Sequence, residues 1–491
     1  MNATRRLPQI IQGGMGIAVS NWRLARAAAR AGALGVVSGT AIDSVLVRRL
    51  QDGDPDGVVR ATMERFPFPD ISANVLRQFF LPEGRREGAP YKLLPLYRQK
   101  VSTWRDQVTM LAAYVEVSLA REGHEGTVGI NLLTKVQMPT LATLFGAMLA
   151  GVDVVLMGAG IPREIPGALD ALSRMETSTL KLDVEGGNSS EVAQLTLNPI
   201  ELTGGARPGL TRPLFFPIVS AATLAINLER KSNGRVDGFV VEGPTAGGHN
   251  APPRGAMRLT SDGEPIYGDR DVVDLAAMRE IGLPFWLAGG AGTPEGLARA
   301  RSEGAAGIQV GTLFAYSEES GFTPDIKSSV LGAVVEGKIR VRTDVRASPT
   351  GYPFKLVEAG DALPRDEARE RICDLGYLRV AVRGGDGGLN YRCPAEPVQL
   401  YISKGGSETE TVDRKCLCNA LMSCIGLPQS REGGMMEPPL VTSGDDLVQL
   451  GAFLQGRTHY AAVDVVDYLT SPVTANVTSP EDPRGTSELA P

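Results

Sequence analysis

The chain has 491 residues, 43% of them hydrophobic and 22% charged, with a formal net charge of −6. That length accommodates a barrel of about 250 residues plus substantial additions, and the composition is that of a globular protein with a large core. The acidic balance and the lack of a long basic run count against nucleic acid as the main partner, because phosphate binding needs clustered Lys and Arg.

The N-terminus, MNATRRLPQIIQGGMG, reaches a strand-like run within a few residues. It shows neither an apolar signal core nor a small-residue cleavage site, so a cytoplasmic location is expected. Short apolar runs then alternate with helical patterns, which predicts parallel βα units. The first run is Gln9 to Gln12, followed by a helix with Ser20 as its expected N-cap and Gly32 at its end. Leu34 to Val37, Val128 to Leu132, Val154 to Met157 and Phe215 to Val219 read as the next strands. Phe239 to Val241, Phe285 to Ala288 and Ile308 to Val310 complete a set of eight. Apart from Gln9, Gln12, Asn131 and Gln309, each run is apolar, as is expected of strands buried on both faces. The stretch from Leu141 to Ile161 is broken by Asp153 and several glycines, so a helix followed by a strand is expected there and not a membrane span.

Eight such units predict an α/β fold, a closed (β/α)8 TIM barrel with insertions and a C-terminal extension. The competing architecture is an open doubly wound sheet, which would place its Gly-rich phosphate loop after the first strand. Here the turns best suited to phosphate follow the seventh and eighth strands, where a barrel builds that site. The barrel is expected over 1–349, with insertions at about 43–126 and 176–213. A Cys-containing extension covers 350–470, and the Pro-, Ser- and Thr-rich residues 471–491 are expected to be disordered.

Strand ends converge on one face of a barrel, so motifs far apart in sequence meet there. Gln12-Gly13-Gly14-Met15-Gly16 is either a close approach for a flat ligand or simply a tight turn. Asn131, ending the third strand, can donate and accept toward a ring edge or cap its own turn. Leu287-Ala288-Gly289-Gly290-Ala291-Gly292-Thr293-Pro294 leads from a strand into a helix, and free N–H groups with a helix dipole attract an anion. Gln309-Val310-Gly311-Thr312 repeats that geometry one strand later and adds a hydroxyl donor. Two consecutive turns of this type point to phosphate. His249, in Glu242-Gly243-Pro244-Thr245-Ala246-Gly247-Gly248-His249-Asn250, follows two glycines at the same mouth and is the expected proton-transfer group. His124 and His459 are expected at the surface.

The five cysteines, Cys373, Cys393, Cys416, Cys418 and Cys424, all fall late in the chain. Their spacing lacks paired C-x-x-C motifs, so reduced thiols without a bound metal are expected, with a thiolate metal site as the alternative.

Taken together, IIQGGMG, GINLL, MGAGIP, EGPTAGGHN, LAGGAGT and IQVGTLF resemble the nitronate monooxygenase (2-nitropropane dioxygenase-like) family of FMN enzymes, over about residues 7–355. The resemblance implies FMN across the barrel mouth. Gly14, Met15 and Asn131 would contact the ring, and Glu242, Gly247 and Gly248 would border it. Gly289, Gly290, Gln309, Gly311 and Thr312 would hold the phosphate end, and His249 would be the catalytic base. It implies oxidation of alkyl nitronates with molecular oxygen. The Gln-Gly-Gly-Met turn, where small members of the family have Ala-Pro-Met, and the greater length resemble flavin-dependent enoyl-ACP reductases of fatty acid or polyunsaturated fatty acid synthesis. Those would imply NAD(P)H and an acyl-thioester substrate in place of a small molecule. A non-enzymatic flavin binder is the third reading.

Overall fold

The computed structural model describes residues 7–186, 192–363, 369–385 and 387–473. Eight parallel strands form one sheet: β1 (Ile10–Gln12), β2 (Gly35–Ser38), β3 (Val128–Leu133), β4 (Val154–Gly158), β5 (Leu214–Val219), β6 (Phe239–Glu242), β7 (Phe285–Ala288) and β8 (Gly307–Val310). The hydrogen-bonded order is β1-β8-β7-β6-β5-β4-β3-β2. A parallel bridge between Ile11 and Leu34 joins the two ends, with Gln12 N–H donating to Leu34 O and Leu34 N–H to Ile10 O, both at 2.9 Å. The sheet is therefore a barrel, and the open doubly wound alternative is excluded.

The continuous apolarity of the strands has a direct cause. Alternate residues point to opposite faces of a strand, and both faces are covered. Val154, Leu156, Phe216, Val240 and Trp286 fill the barrel interior, while Val155, Met157, Phe215, Phe239 and Phe285 pack outward under the helices. Phe216 and Trp286 stack inside at 5.0 Å. The Leu141 to Ile161 run resolves as a helix over Thr140–Leu149 followed by β4. No helix among the described residues is long and apolar enough to cross a membrane.

The first helix, Trp22–Arg30, is capped by Asn21, whose side chain accepts from Leu24 N–H, and not by Ser20. Ser20 is fully buried and serves the first-strand turn instead: its hydroxyl donates to Gly13 O at 2.8 Å and accepts from Met15 N–H at 3.0 Å. The long β2-to-β3 connection contains helices over Ile42–Gln51, Val58–Glu64, Pro69–Phe79 and Thr103–Arg121. The β4-to-β5 connection carries a hairpin of Ser178–Lys181 and Gln194–Leu197. Beyond the barrel, Arg340–Asp344 pairs antiparallel with Phe354–Glu358, and helices continue to Ala462–Thr470. Of the expected disordered tail, residues 474–491 lie outside the described residues.

Candidate active site

A cavity of about 1390 Å³, counted to its open mouth, lies at the C-terminal ends of the strands. Every site residue singled out in the sequence lines it: Gly14, Met15, Asn131, Glu242, Gly247, Gly248, His249, Gly289, Gly290, Gln309, Gly311 and Thr312. They come from five of the eight strand ends, and the barrel topology alone brings them together.

At one wall the chain leaves β7 through Gly289 (φ 88°) and Gly290 (φ 69°), conformations that favour glycine. A Cβ on Gly289 would stand 2.8 Å from Thr245 Oγ1 and 3.0 Å from Ala246 N. Among the described residues, the backbone N–H groups of Gly290, Ala291 and Gly292 have no acceptor. Thr293 caps the helix Pro294–Ser302 that follows, with proline in its first turn. Unpaired amides at the positive end of a helix form an anion seat. Next to them, Gln309 carries a buried Oε1 with no partner, an acceptor available to a ligand donor.

Beside β8, the first-strand turn forms a second wall. Gly14 is there for Asn131: a Cβ on Gly14 would fall 2.3 Å from Asn131 Cβ, and Asn131 Nδ2 donates to Gly14 O at 3.4 Å. On the other side of β7, the loop after β6 brings two titratable groups to the cavity. Burial pushes the Glu242 carboxyl up to about 8, so it is protonated and neutral at pH 7. Burial, reinforced by the Lys135 charge, pushes the His249 imidazole down to about 4, so it too is neutral. His249 Nε2 bonds Ser348 Oγ at 2.7 Å, and Phe354 packs edge-on at 4.8 Å between ring centroids.

Sequence reading missed a third wall. The segment Thr442–Asp446, far along the C-terminal extension, folds back over the phosphate-type turns. Gly248 N–H donates to Thr442 Oγ1 at 3.0 Å and Asp445 N–H to Thr245 O at 3.0 Å. The Thr312 hydroxyl, expected to be a free donor, instead donates to Asp446 Oδ1 at 2.5 Å and accepts from Gly444 N–H at 3.2 Å. Burial raises the Asp446 carboxyl above its ordinary value. The run Thr442-Ser443-Gly444-Asp445-Asp446 reads as an ordinary polar turn, so nothing local marks it.

The remaining candidates lie elsewhere. His124 bonds Ala120 O and Gly126 N–H in a turn, and His459 is exposed. Cys373, Cys393, Cys416 and Cys418 surround a separate small void, and burial pushes the Cys416 thiol up to about 11. Among the described residues, no three His, Cys, Asp or Glu side chains group closely enough to share a metal ion.

The donor set suits a phosphorylated flavin. It offers unpaired amides for a phosphate, an orphaned Gln309 acceptor and the amide of Asn131 for ring-edge groups, and glycines where a Cβ would intrude. Of the two carboxyl groups among the described residues lining the cavity, Glu242 is neutral and Asp446 opposes an added negative charge.

Barrel and mouth thus define a (β/α)8 barrel with an anion seat and a neutral histidine in one cavity. Within it, residues 210–352 match the nitronate monooxygenase family, a span that contains β5 to β8, His249 and both phosphate-type turns. The first three motifs of the resemblance lie outside that span. A probable nitronate monooxygenase of Staphylococcus haemolyticus (strain JCSC1435) is 30% identical over 115 residues, 23% of this chain. The match spans 31% of that relative's length. Among solved structures, FabK from Thermotoga maritima is 15% identical at a TM-score of 0.43, covering 94% of this chain and 91% of its own. A nitroalkane oxidase from Streptomyces ansochromogenes is 15% identical at a TM-score of 0.44, covering 94% of each chain.

Proposed function

We propose that the chain is a flavin-dependent oxidoreductase of the nitronate monooxygenase type, with FMN as its cofactor and an alkyl nitronate or its parent nitroalkane as substrate. The observation that carries this reading is His249. It is a neutral imidazole with one ring nitrogen unpaired among the described residues, lining the same cavity as an anion seat, inside the segment that matches the family. Gly290, Ala291 and Gly292 would hold the phosphate through their amides, and Asn131, Glu242 and Gln309 would bind the ring edge. Bound flavin supplies the electron transfer from substrate to oxygen. His249 handles the proton: the C–H bond beside the nitro group breaks, its electron pair stays on the nitronate, and the proton moves to the imidazole. The anion left behind favours that protonation, offsetting the burial and the Lys135 charge that oppose it.

The test is anaerobic mixing of flavin-loaded protein with a nitronate, and separately with NADH or NADPH. Bleaching of the flavin by the nitronate is expected. Bleaching by the pyridine nucleotide alone would replace this reading with the enoyl-thioester reductase. His249→Ala should slow turnover of a nitroalkane by about 10²–10⁴-fold, the usual contribution of a placed general base. A preformed nitronate has already lost its proton and should be largely spared. Equal losses on both would remove proton abstraction from His249.

A further inference from the structure

The Nε2 side of His249 ends on a built arrangement outside the strand ends. Ser348 is fully buried, and its hydroxyl lies 2.7 Å from His249 Nε2 and 2.8 Å from Thr350 Oγ1. Thr350 N–H also donates to Ser348 Oγ, at 3.2 Å, and Tyr352 N–H to Thr350 Oγ1, at 3.4 Å. The position of Ser348 is fixed from behind, where Arg414 Nη1 donates to its carbonyl oxygen at 2.5 Å. The backbone beside the ring is fixed as well. His249 forms an antiparallel bridge with Phe354, Asn250 N–H donates to Pro353 O at 2.9 Å, and Lys355 N–H donates to Gly248 O at 3.0 Å. The imidazole is therefore gripped at one nitrogen, while Nδ1 has no hydrogen-bond partner among the described residues.

Two settings of the hydroxyl hydrogens satisfy these distances. In one, Nε2–H donates to Ser348 Oγ and the Ser348 hydroxyl donates to Thr350 Oγ1, leaving Nδ1 with a bare lone pair. In the other, the Ser348 hydroxyl donates to Nε2, and Nδ1 carries the hydrogen and offers no base. Only the first lets the ring take a proton without breaking a bond already made, because Nε2–H donates to Ser348 before and after Nδ1 is protonated. It is also the tautomer that a neutral histidine side chain prefers intrinsically. Which nitrogen carries the hydrogen is set by the bond the other makes.

We propose that Ser348 is a positioning residue for His249. Its hydroxyl oxygen, backed by Thr350, accepts Nε2–H and so fixes both the ring orientation and the tautomer in which Nδ1 is the proton acceptor on the cavity side. This rests on reading His249 as the proton-transferring group. It adds that the reacting nitrogen is Nδ1, and that a serine from the section after the barrel makes it so.

The chain has three histidines, so uniform ¹⁵N labelling of histidine in the flavin-loaded protein gives three ring systems, and a His249→Ala sample identifies the one that matters. The expected result at pH 7 is a neutral His249 with its hydrogen on Nε2 and none on Nδ1. A hydrogen on Nδ1 overturns the proposal. Ser348→Ala should shift or broaden the Nε2 signal and lower kcat on a nitroalkane by about tenfold to a hundredfold, as misplacement of a reacting group does. KM and flavin affinity should stay within about twofold. Ser348→Thr, which keeps the hydroxyl, should restore kcat. Should the extra methyl disturb folding, Thr350→Val serves instead, with Nε2–H retained and a fall of a few-fold in kcat. Unchanged kcat in both Ser348→Ala and Thr350→Val sinks the positioning role. If the protein turned over no nitroalkane at all, the functional reading would fail, while the ¹⁵N spectra would still decide the tautomer.

Discussion

At the scale of single residues, the proposed reading rests on a cavity in which burial drives two groups neutral in opposite ways. Glu242 is an acid kept protonated and His249 a base kept deprotonated. A histidine pushed down to about 4 loses its lone pair only when pH falls through about 4. The rate constant kcat/KM on a nitroalkane should therefore stay level from pH 7 down to about pH 5 and drop below that. Lys135 contributes to the depression by adding a like charge to the imidazolium. Lys135→Met removes that charge, so the protonated ring becomes less unfavourable and the acid limb should move to higher pH. A limb that stays in place, or moves down, would show that Lys135 does not act on this ring. The candidates at this scale were legible because histidine is rare in the chain and follows paired glycines at a strand end. The Ser20 cap was misassigned for a physical reason. Ser and Asn are both good caps, and only the tertiary contact of Ser20 with the Gly13 carbonyl decides that Asn21 takes the role.

At the scale of elements, the eight strands were legible almost to the residue, because burial on both faces leaves an uninterrupted apolar run bounded by turn formers. The phosphate-type turns were legible for the same reason: they sit where β7 and β8 stop. Gly290, at φ 69° and with Thr245 Oγ1 3.4 Å from where a Cβ would be, tests the seat. Gly290→Val strains that backbone and crowds the unpaired amides, so FMN affinity should fall by at least about tenfold while circular dichroism reports an intact fold. Unchanged affinity would place the phosphate elsewhere. The Thr442–Asp446 segment was not legible. It meets Thr312 across 134 positions of sequence, and a polar turn composition carries no sign of its destination. Its Asp446 opposes a phosphate on the same turn. Asp446→Asn keeps the shape and removes the charge, so FMN should bind more tightly at pH 8, by between about fivefold and about a thousandfold, the range that a unit-charge repulsion at about 4 Å spans from bulk water to a partly buried site. Weaker binding would mean that Asp446 supports the seat by holding the segment in place.

At the scale of the whole molecule, the insertion and the extension are joined to the barrel through buried polar contacts as well as apolar packing. Asp43, after β2, pairs with Arg105 of the long insertion helix at 2.7 Å, with both side chains 3% exposed or less. Tyr377, from the extension, donates to the same carboxylate and lies 2.7 Å from the Ser44 hydroxyl. Cys424, Phe453 and Val465 belong to the same apolar core as the barrel helices. Composition marked the extension off by its cysteines, yet three pieces distant in sequence share this core, and the extension supplies Phe354, Leu421, Thr442–Gly444 and Asp446 to the cavity. The cavity is therefore a property of the complete fold, and its content is the most direct test of the account. The protein, loaded with flavin and freed of excess, should release FMN and no FAD on heat denaturation, at about one per chain, because under the proposed reading the seat against the barrel wall would hold a terminal monophosphate. Release of FAD, or protein that stays colourless after exposure to FMN, would contradict it.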